Sequence, residues 1–365
     1  MQGIRFLINF SLVIARILTL PYTLVLWLRH RCYDWGIFNS LTLDIPVLSL
    51  GNITAGGTGK TPHTELVLRL FSQDVEVAVL SRGYKRSSKG FRYVDAADSV
   101  MDTGDEPLQI KRKFPSVVVA VDTNRIAGIK RILQDYPQIK LIVLDDAFQY
   151  RRLKPAYSIL LSEYSRPFTQ DLLLPFGGLR DLPAQAWRAH MIVVSKSPPS
   201  VDLAERGRQQ KALCLKPRQH LVFSYYAYGT PQPVFPKPNA SGHRKTATHI
   251  VALTGVANPR PFIEAIQSCA ILVGHLQFSD HRCFTQKDIR QINEAAAQHP
   301  CAAIYTTEKD AVRLKEHPAL SAQAKEALFY IPLQVDFCDD SDKYLFIKQI
   351  RQLLPVPSSP QPFAT

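Results

Sequence analysis

The residues best suited to chemistry lie in LSLGNITAGGTGKTPHTELVLRLF, Leu48 to Phe71. An apolar run there ends in a glycine-rich turn, and a helix is expected to start at Lys60-Thr61-Pro62. Pro62 suits the first helical turn, where a missing N–H costs nothing. Gly56, Gly57 and Gly59 let backbone N–H groups approach phosphate oxygens, and the helix N-terminus adds positive potential. Lys60 can reach the outer phosphates and Thr61 can hold Mg2+. The candidate nucleotide loop is therefore Thr54, Ala55, Gly56, Gly57, Thr58, Gly59, Lys60 and Thr61. Thr54 stands where the strict phosphate-loop pattern has its first glycine. The bland alternative is an ordinary glycine-rich turn; the strand before it and the Lys-Thr-helix after it favour phosphate.

Further along, KLIVLDDAFQYRRL ends a second apolar run with Asp145 and Asp146. Carboxylates at the C-terminal edge of a strand sit beside a phosphate loop and can hold a metal directly or through water. Alone, paired acids could equally cap a turn. GDEP, Gly104 to Pro107, offers a loop carboxylate able to act as a base, although the same four residues are ordinary turn chemistry. Basic residues recur nearby: Arg82, Lys85, Arg86, Arg125, Arg151, Arg152 and Arg180. Arginine contacts phosphate oxygens in pairs, but most surface arginines are simply solvated.

Positioning these groups requires a scaffold, and the apolar runs supply one. IPVLSL (45–50), VEVAVLS (75–81), SVVVAVD (116–122), KLIVLDD (140–146), YSILLSE (157–163) and MIVVSK (191–196) lack polar alternation. That is the mark of strands buried on both faces of a helix-covered parallel sheet. The same logic recurs in HIVALTG (249–255), ILVGHLQF (271–278), AAIYTTE (302–308) and LFYIPLQVDF (328–337), with a helix entered through Pro259 and Pro261. The expected fold is α/β, a P-loop NTPase-like doubly wound, mostly parallel sheet plus a smaller C-terminal α/β lobe. The boundaries read as an N-terminal hydrophobic segment 1–40, a core 41–228, a linker 229–248, a C-terminal lobe 249–354 and a tail 355–365.

The N-terminal segment runs nearly continuously apolar from Phe6 to Leu28, broken by Asn9, Arg16 and Pro21. An arginine near the centre of a span costs a few kcal/mol. Arg29, His30 and Arg31 follow, with no small-residue cleavage site. A helix lying in the membrane interface, its arginines meeting anionic headgroups, is preferred over a true span or a helix packed on the core. The whole chain is basic, with 44 Lys and Arg against 31 Asp and Glu. Such a balance suits phosphates or acidic lipid. No recognisable nucleic-acid module accompanies the charge, so no nucleic-acid partner is expected. The six cysteines lack metal-ligand or disulfide spacing and fit a reducing compartment. A guanine-nucleotide switch would need an [NT]KxD motif, and the candidate SKSP at 195–198 lacks the carboxylate. A kinase for a soluble polar substrate stays open as a rival.

Taken in order, GNITAGGTGKTP, SRGYKR, GDEP, DTNRIAG, VLDDAFQYRRL, LLPFGGLRD, LTGVANPRPF, FSDHRCF and TTEKDAVRL resemble the tetraacyldisaccharide 4'-kinases. That resemblance implies ATP-dependent phosphorylation of a lipid A disaccharide 1-phosphate glycolipid at its 4' hydroxyl, on the cytoplasmic face of the bacterial inner membrane. It implies Asp105 as a catalytic base paired with His281, and Lys60 and Thr61 at ATP and Mg2+. It further implies Asp145 and Asp146 around the metal, and Tyr84, Arg125, Gln149, Arg180 and Asp181 around the phosphates or the glycolipid. Tyr150 stands where the family pattern DDGFQHRR has histidine, and Ala147 where it has glycine. LLPFGGLRD varies the family's LLPAGPLRE.

Overall fold

The computed structural model describes residues 18–236, 247–256, 258–280, 284–315 and 317–354. The chain forms two compact units, and each is built from separated stretches: 1–82, 122–225 and 336–365 in the first, 83–121 and 226–335 in the second. Residues 83–121, which read as part of the first lobe in sequence, thus fall in the second unit.

The first unit is built on a parallel sheet. Val47–Gly51 pairs with Leu141–Asp145 on one side and Tyr157–Glu163 on the other. Val77–Ser81 continues beyond Leu141–Asp145, while Met191–Ser195 and then the start of His220–Tyr228 continue beyond Tyr157–Glu163. The strands Val47–Gly51, Val77–Ser81, Leu141–Asp145 and Met191–Ser195 are buried at every position. Their Val, Ile and Leu runs are dictated by that burial, each such side chain contributing about 1.5–3 kcal/mol when removed from water. From Val47–Gly51 the chain first forms strands on one side and only later, from Tyr157–Glu163 on, fills the other. That strand is therefore the switch point of the sheet, and the crevice beyond its C-terminal end is where ligands of such folds lodge.

A core of Ile53, Phe148, Leu160, Phe168, Ile192 and Phe223 backs this crevice and takes in Leu26 from the N-terminal helix Leu20–Asp34. Among the described residues no helix is long and apolar enough to cross a membrane.

The second unit repeats the alternation. Its sheet runs in the order Ile271–Gln277, His249–Thr254, Ala303–Thr307, Leu328–Ile331, all parallel, closed by the short antiparallel Gln232–Pro233. Ile250 and Ala252 pack with Phe262 and Ile266 on one face. Val251 and Leu253 pack with Ile289, Ile292 and Leu314 on the other. The period of two is that of a strand covered on both sides. The run LFYIPLQVDF is two strands rather than one, Leu328–Ile331 and Leu333–Phe337, because Pro332 has no N–H to give a ladder. Gln232–Pro233 lies inside the expected linker, of which residues 237–246 lie outside the described residues.

Candidate nucleotide site

Strand Val47–Gly51 ends against Phe148 so closely that a Cβ at Gly51 would stand 2.7 Å from the Phe148 Cβ. Asn52 follows, and the loop then turns through Gly56 and Gly59, both at positive φ, 100° and 93°. Only glycine adopts such values at little cost. The helix Lys60–Phe71 starts directly after Gly59, with no side-chain cap. Its first N–H groups are thus left for a ligand, as phosphate binding at a helix N-terminus requires.

Buried side chains shape the loop from beneath. Asn52 Nδ2 donates to Thr58 Oγ1 at 2.6 Å and to the Gly56 carbonyl at 3.3 Å. Ser195 Oγ, at the end of its strand, donates to the Thr58 carbonyl at 2.8 Å. His63, wholly buried one turn into the helix, lies with Nδ1 2.7 Å from the Gly59 carbonyl and Nε2 2.9 Å from Ser224 Oγ. Burial pushes its pKa down to about 4, partly offset by the Gly59 bond.

Lys60 Nζ stands 3.7 Å from Asp146 Oδ2. Arg180 grips the same carboxylate with both terminal nitrogens and reaches Asn52 with one of them, through its side-chain and backbone oxygens. Burial works against ionisation of Asp146, yet Lys60, Arg180 and Arg125 outweigh it and hold the carboxyl below its usual range. Asp145, fully buried, accepts from Thr64 Oγ1 at 3.3 Å. Gln149 Nε2 donates to the Asn52 carbonyl at 2.6 Å. Arg125, nearly buried, spans the carbonyls of Asp122 and Thr123 and lies over the Tyr150 ring at 5.6 Å. Tyr150, the departure from the family pattern, also donates its hydroxyl to Asn124 Oδ1, 3.2 Å away. The first unit therefore brings Thr54 to Thr61, Asp145, Asp146, Gln149 and Arg180 to the end of the central strands. Hard oxygen donors, the Thr61 hydroxyl and the two carboxylates, form a set suited to Mg2+.

Asp181 is placed differently. It is fully buried, its Oδ1 2.6 Å from His30 Nε2 and 2.8 Å from the Leu182 N–H, with Arg188 Nη2 3.7 Å from Oδ2. Burial opposes its charge, but the bonds from His30 and Leu182 and the Arg188 guanidinium keep its carboxyl low. This carboxylate thus anchors the N-terminal helix instead of facing a ligand. Tyr22 and Arg29 add to the anchor by donating to the carbonyls of Arg180 and Gln149, at 3.2 and 2.9 Å. Arg151 bridges His30 and Asp34.

In the second unit, Gly104 takes φ 94° and ψ 156°, a region essentially reserved for glycine, and delivers Asp105 as the first residue of the helix Asp105–Lys113. Asp105 is buried, and its Oδ1 accepts the Glu106 N–H at 3.0 Å. Lys309 Nζ lies 3.8 Å from Asp105, 3.4 Å from Glu106 and 3.8 Å from Asp280, and Arg313 Nε lies 3.9 Å from Asp105. Tyr84 is exposed, with Lys85 over its ring. His281 lies outside the described residues. Sequence reasoning assigned no role to His30, His63, Ser195, Lys309 or Arg313. A signal existed for the last two, since TTEKDAVRL spaces them one helical turn apart.

The sheet with its switch point and the glycine loop opening a helix define a P-loop α/β protein. Residues 12–353 match the family model described as tetraacyldisaccharide-1-P 4'-kinase, and the chain belongs to that family. It is 41% identical to the tetraacyldisaccharide 4'-kinase of Phocaeicola vulgatus over 323 residues, 87% of this chain and 88% of that one. It is 40% identical to that of Bacteroides thetaiotaomicron over 338 residues, 88% of each. The crystal structure of LpxK from Aquifex aeolicus, solved with ATP, shares the fold with a TM-score of 0.69 at 24% identity, covering 93% of this chain and 99% of that one.

Proposed function

We propose that the protein transfers the γ-phosphate of ATP to the 4' hydroxyl of a lipid A disaccharide 1-phosphate. The observation that carries this reading is the Lys60–Asp146–Arg180 arrangement at the mouth of the glycine loop, in a chain that matches this kinase family along most of its length. Lys60 and Arg180 place two cations where the outer phosphates of a nucleotide would lie, and the loop N–H groups add a third source of positive potential. Thr61, Asp145 and Asp146 are the residues that would hold Mg2+, which would supply charge neutralisation at the outer phosphates. Asp105 is the base that takes the acceptor hydroxyl's proton, paired with His281 as the family resemblance implies. Tyr84, Arg125 and Gln149 are candidates to hold phosphate or sugar. Positioning and charge neutralisation supply most of the rate in such transfers.

The acceptor is a lipid, and the N-terminal helix presents a surface suited to reaching it. Leu20, Leu24, Val25, Trp27 and Leu28 are exposed on Leu20–Asp34, and Trp35, Ile37 and Phe38 extend the apolar patch. Peripheral attachment to the cytoplasmic face of the inner membrane follows from this reading, with Arg29 and Arg31 near anionic headgroups.

The test is transfer of label from γ-labelled ATP to a lipid A disaccharide 1-phosphate in detergent micelles. Wild type should label the 4' position, and Lys60→Ala and Asp105→Ala should each lose at least about a hundredfold in rate. Hydrolysis of ATP with an unlabelled glycolipid would keep the phosphate loop and remove the acceptor.

A further inference from the structure

We propose that His63 is a positioning residue of the phosphate loop, its ring N–H fixing the Gly59–Lys60 peptide so that the Lys60 amide faces an incoming polyphosphate. The inference rests on the nucleotide reading above and adds a residue that lies outside the phosphate-loop pattern. His63 is fully buried, and its Nδ1 is 2.7 Å from the Gly59 carbonyl. A carbonyl only accepts, so Nδ1 carries the proton. Buried with a carbonyl and a hydroxyl as its partners, the ring is neutral, and Nε2 accepts from Ser224 Oγ at 2.9 Å.

The Gly59 carbonyl does not need this bond for its own sake. The backbone N–H of His63 already reaches it at 3.1 Å, closing the first turn of the helix. The ring supplies a second donor to the same oxygen. Because a trans peptide holds its C=O and N–H antiparallel, tying the Gly59 oxygen inward turns the Lys60 N–H outward. Gly59, at φ 93°, has the freedom to rotate that plane, so an additional tie restricts it.

Two neighbouring carbonyls are held the same way, Gly56 by Asn52 Nδ2 and Thr58 by Ser195 Oγ. Three loop carbonyls thus receive side-chain donors from the protein side. Carbonyl oxygens left facing a polyphosphate would repel it, whereas N–H groups facing it form an anion-binding concavity. His63 completes that set at the peptide nearest the catalytic lysine.

The experiment is calorimetric titration of ATP and ADP into the full-length, detergent-solubilised protein, with folding checked by near-UV circular dichroism and melting temperature. His63→Leu should weaken both nucleotides at least tenfold. His63→Asn, whose amide nitrogen takes the place of Nδ1, should stay within threefold of wild type. Ser224→Ala should lower the melting temperature yet bind within threefold, because the bond to Gly59 survives; a purely structural role for His63 would make its variants behave like this one. Wild-type affinity in folded His63→Leu, or folded His63→Asn as weak as His63→Leu, overturns the proposal. Should His63→Leu not fold, His63→Gln, whose amide reaches toward Ser224 instead of Gly59, takes its place, and equal affinities for the Gln and Asn variants overturn the proposal. Wild type that binds no ATP, or Lys60→Ala that binds as wild type does, removes the nucleotide reading itself.

Discussion

Asp146 sits under two cations, Lys60 and Arg180, and its residue type decides what each of them can do. On the proposed reading, the ionised carboxylate would hold the pair of positive groups in place before a triphosphate arrives, removing reorganisation from the reaction. Arg180 spans Asp146 and Asn52 with a planar fork, a geometry that a lysine ammonium cannot reproduce. Arg180→Lys should therefore lower kcat/KM for ATP by about ten- to a hundredfold while leaving circular dichroism unchanged, as loss of a charge-assisted bidentate contact does. Steady-state kinetics with ATP as the varied substrate checks this, and an unchanged kcat/KM would remove Arg180 from the site. Arg180 was tied to the site only by the family resemblance, whereas the glycine loop, Lys60 and the paired aspartates were legible as candidates, because such residues at the ends of buried strands suit phosphate and metal. Asp181 was not. It adjoins Arg180 in LLPFGGLRD, yet in an irregular turn consecutive side chains point to different surroundings, and Asp181 turns inward to His30. A lone histidine such as His30 or His63 has no spacing to announce it.

At the scale of the element, the helix Lys60–Phe71 carries a titration into the stability of the site. The His63 ring takes up its proton near pH 6.5 when unfolded and near 4 when folded. Between those values the unfolded chain binds the extra proton, so stability from this group is full above about pH 6.5 and is lost as pH falls toward 4. The full loss amounts to roughly 3 kcal/mol. His63→Asn has no such titration, and its urea-derived stability should fall less steeply than wild type over that range. Parallel slopes for the two proteins would contradict the assignment of a neutral buried ring. Most strands were readable from continuous Val, Ile and Leu. His220–Tyr228 is not among the runs picked out in sequence, because it is half-buried along much of its length and so lacks both a continuous apolar run and clean alternation. Pro332 divided what read as one strand, since a missing N–H interrupts pairing without changing the apolar pattern around it.

For the molecule as a whole, the apolar runs pointed to the α/β class, while residues 83–121, read within the 41–228 core, fall in the second unit, where Asp105 meets Lys309 and Arg313. The proposed attachment to a lipid surface belongs to this scale too, and it can be argued from where the apolar area lies. The helix Leu20–Asp34 gives Leu26 and His30 to the interior and leaves Leu24 and Leu28, one turn apart, 63% and 50% exposed. A helix bonded to the core through Tyr22, Arg29 and His30 is held in one orientation, so its outward leucines form a fixed patch. Replacing both with glutamate removes apolar area from the membrane boundary and brings two negative charges to an anionic surface, a combined penalty of roughly 3 kcal/mol, or about a hundredfold in partition. The double variant Leu24→Glu, Leu28→Glu should therefore bind vesicles containing anionic lipid about a hundredfold less well in sedimentation assays. Its KM for the glycolipid in vesicles should rise while its affinity for ATP stays unchanged, because the side chains that hold the loop, Asn52, His63 and Ser195, are left intact. Vesicle binding equal to wild type would mean that this face does not meet the membrane, and the acceptor would then have to reach the enzyme by another surface.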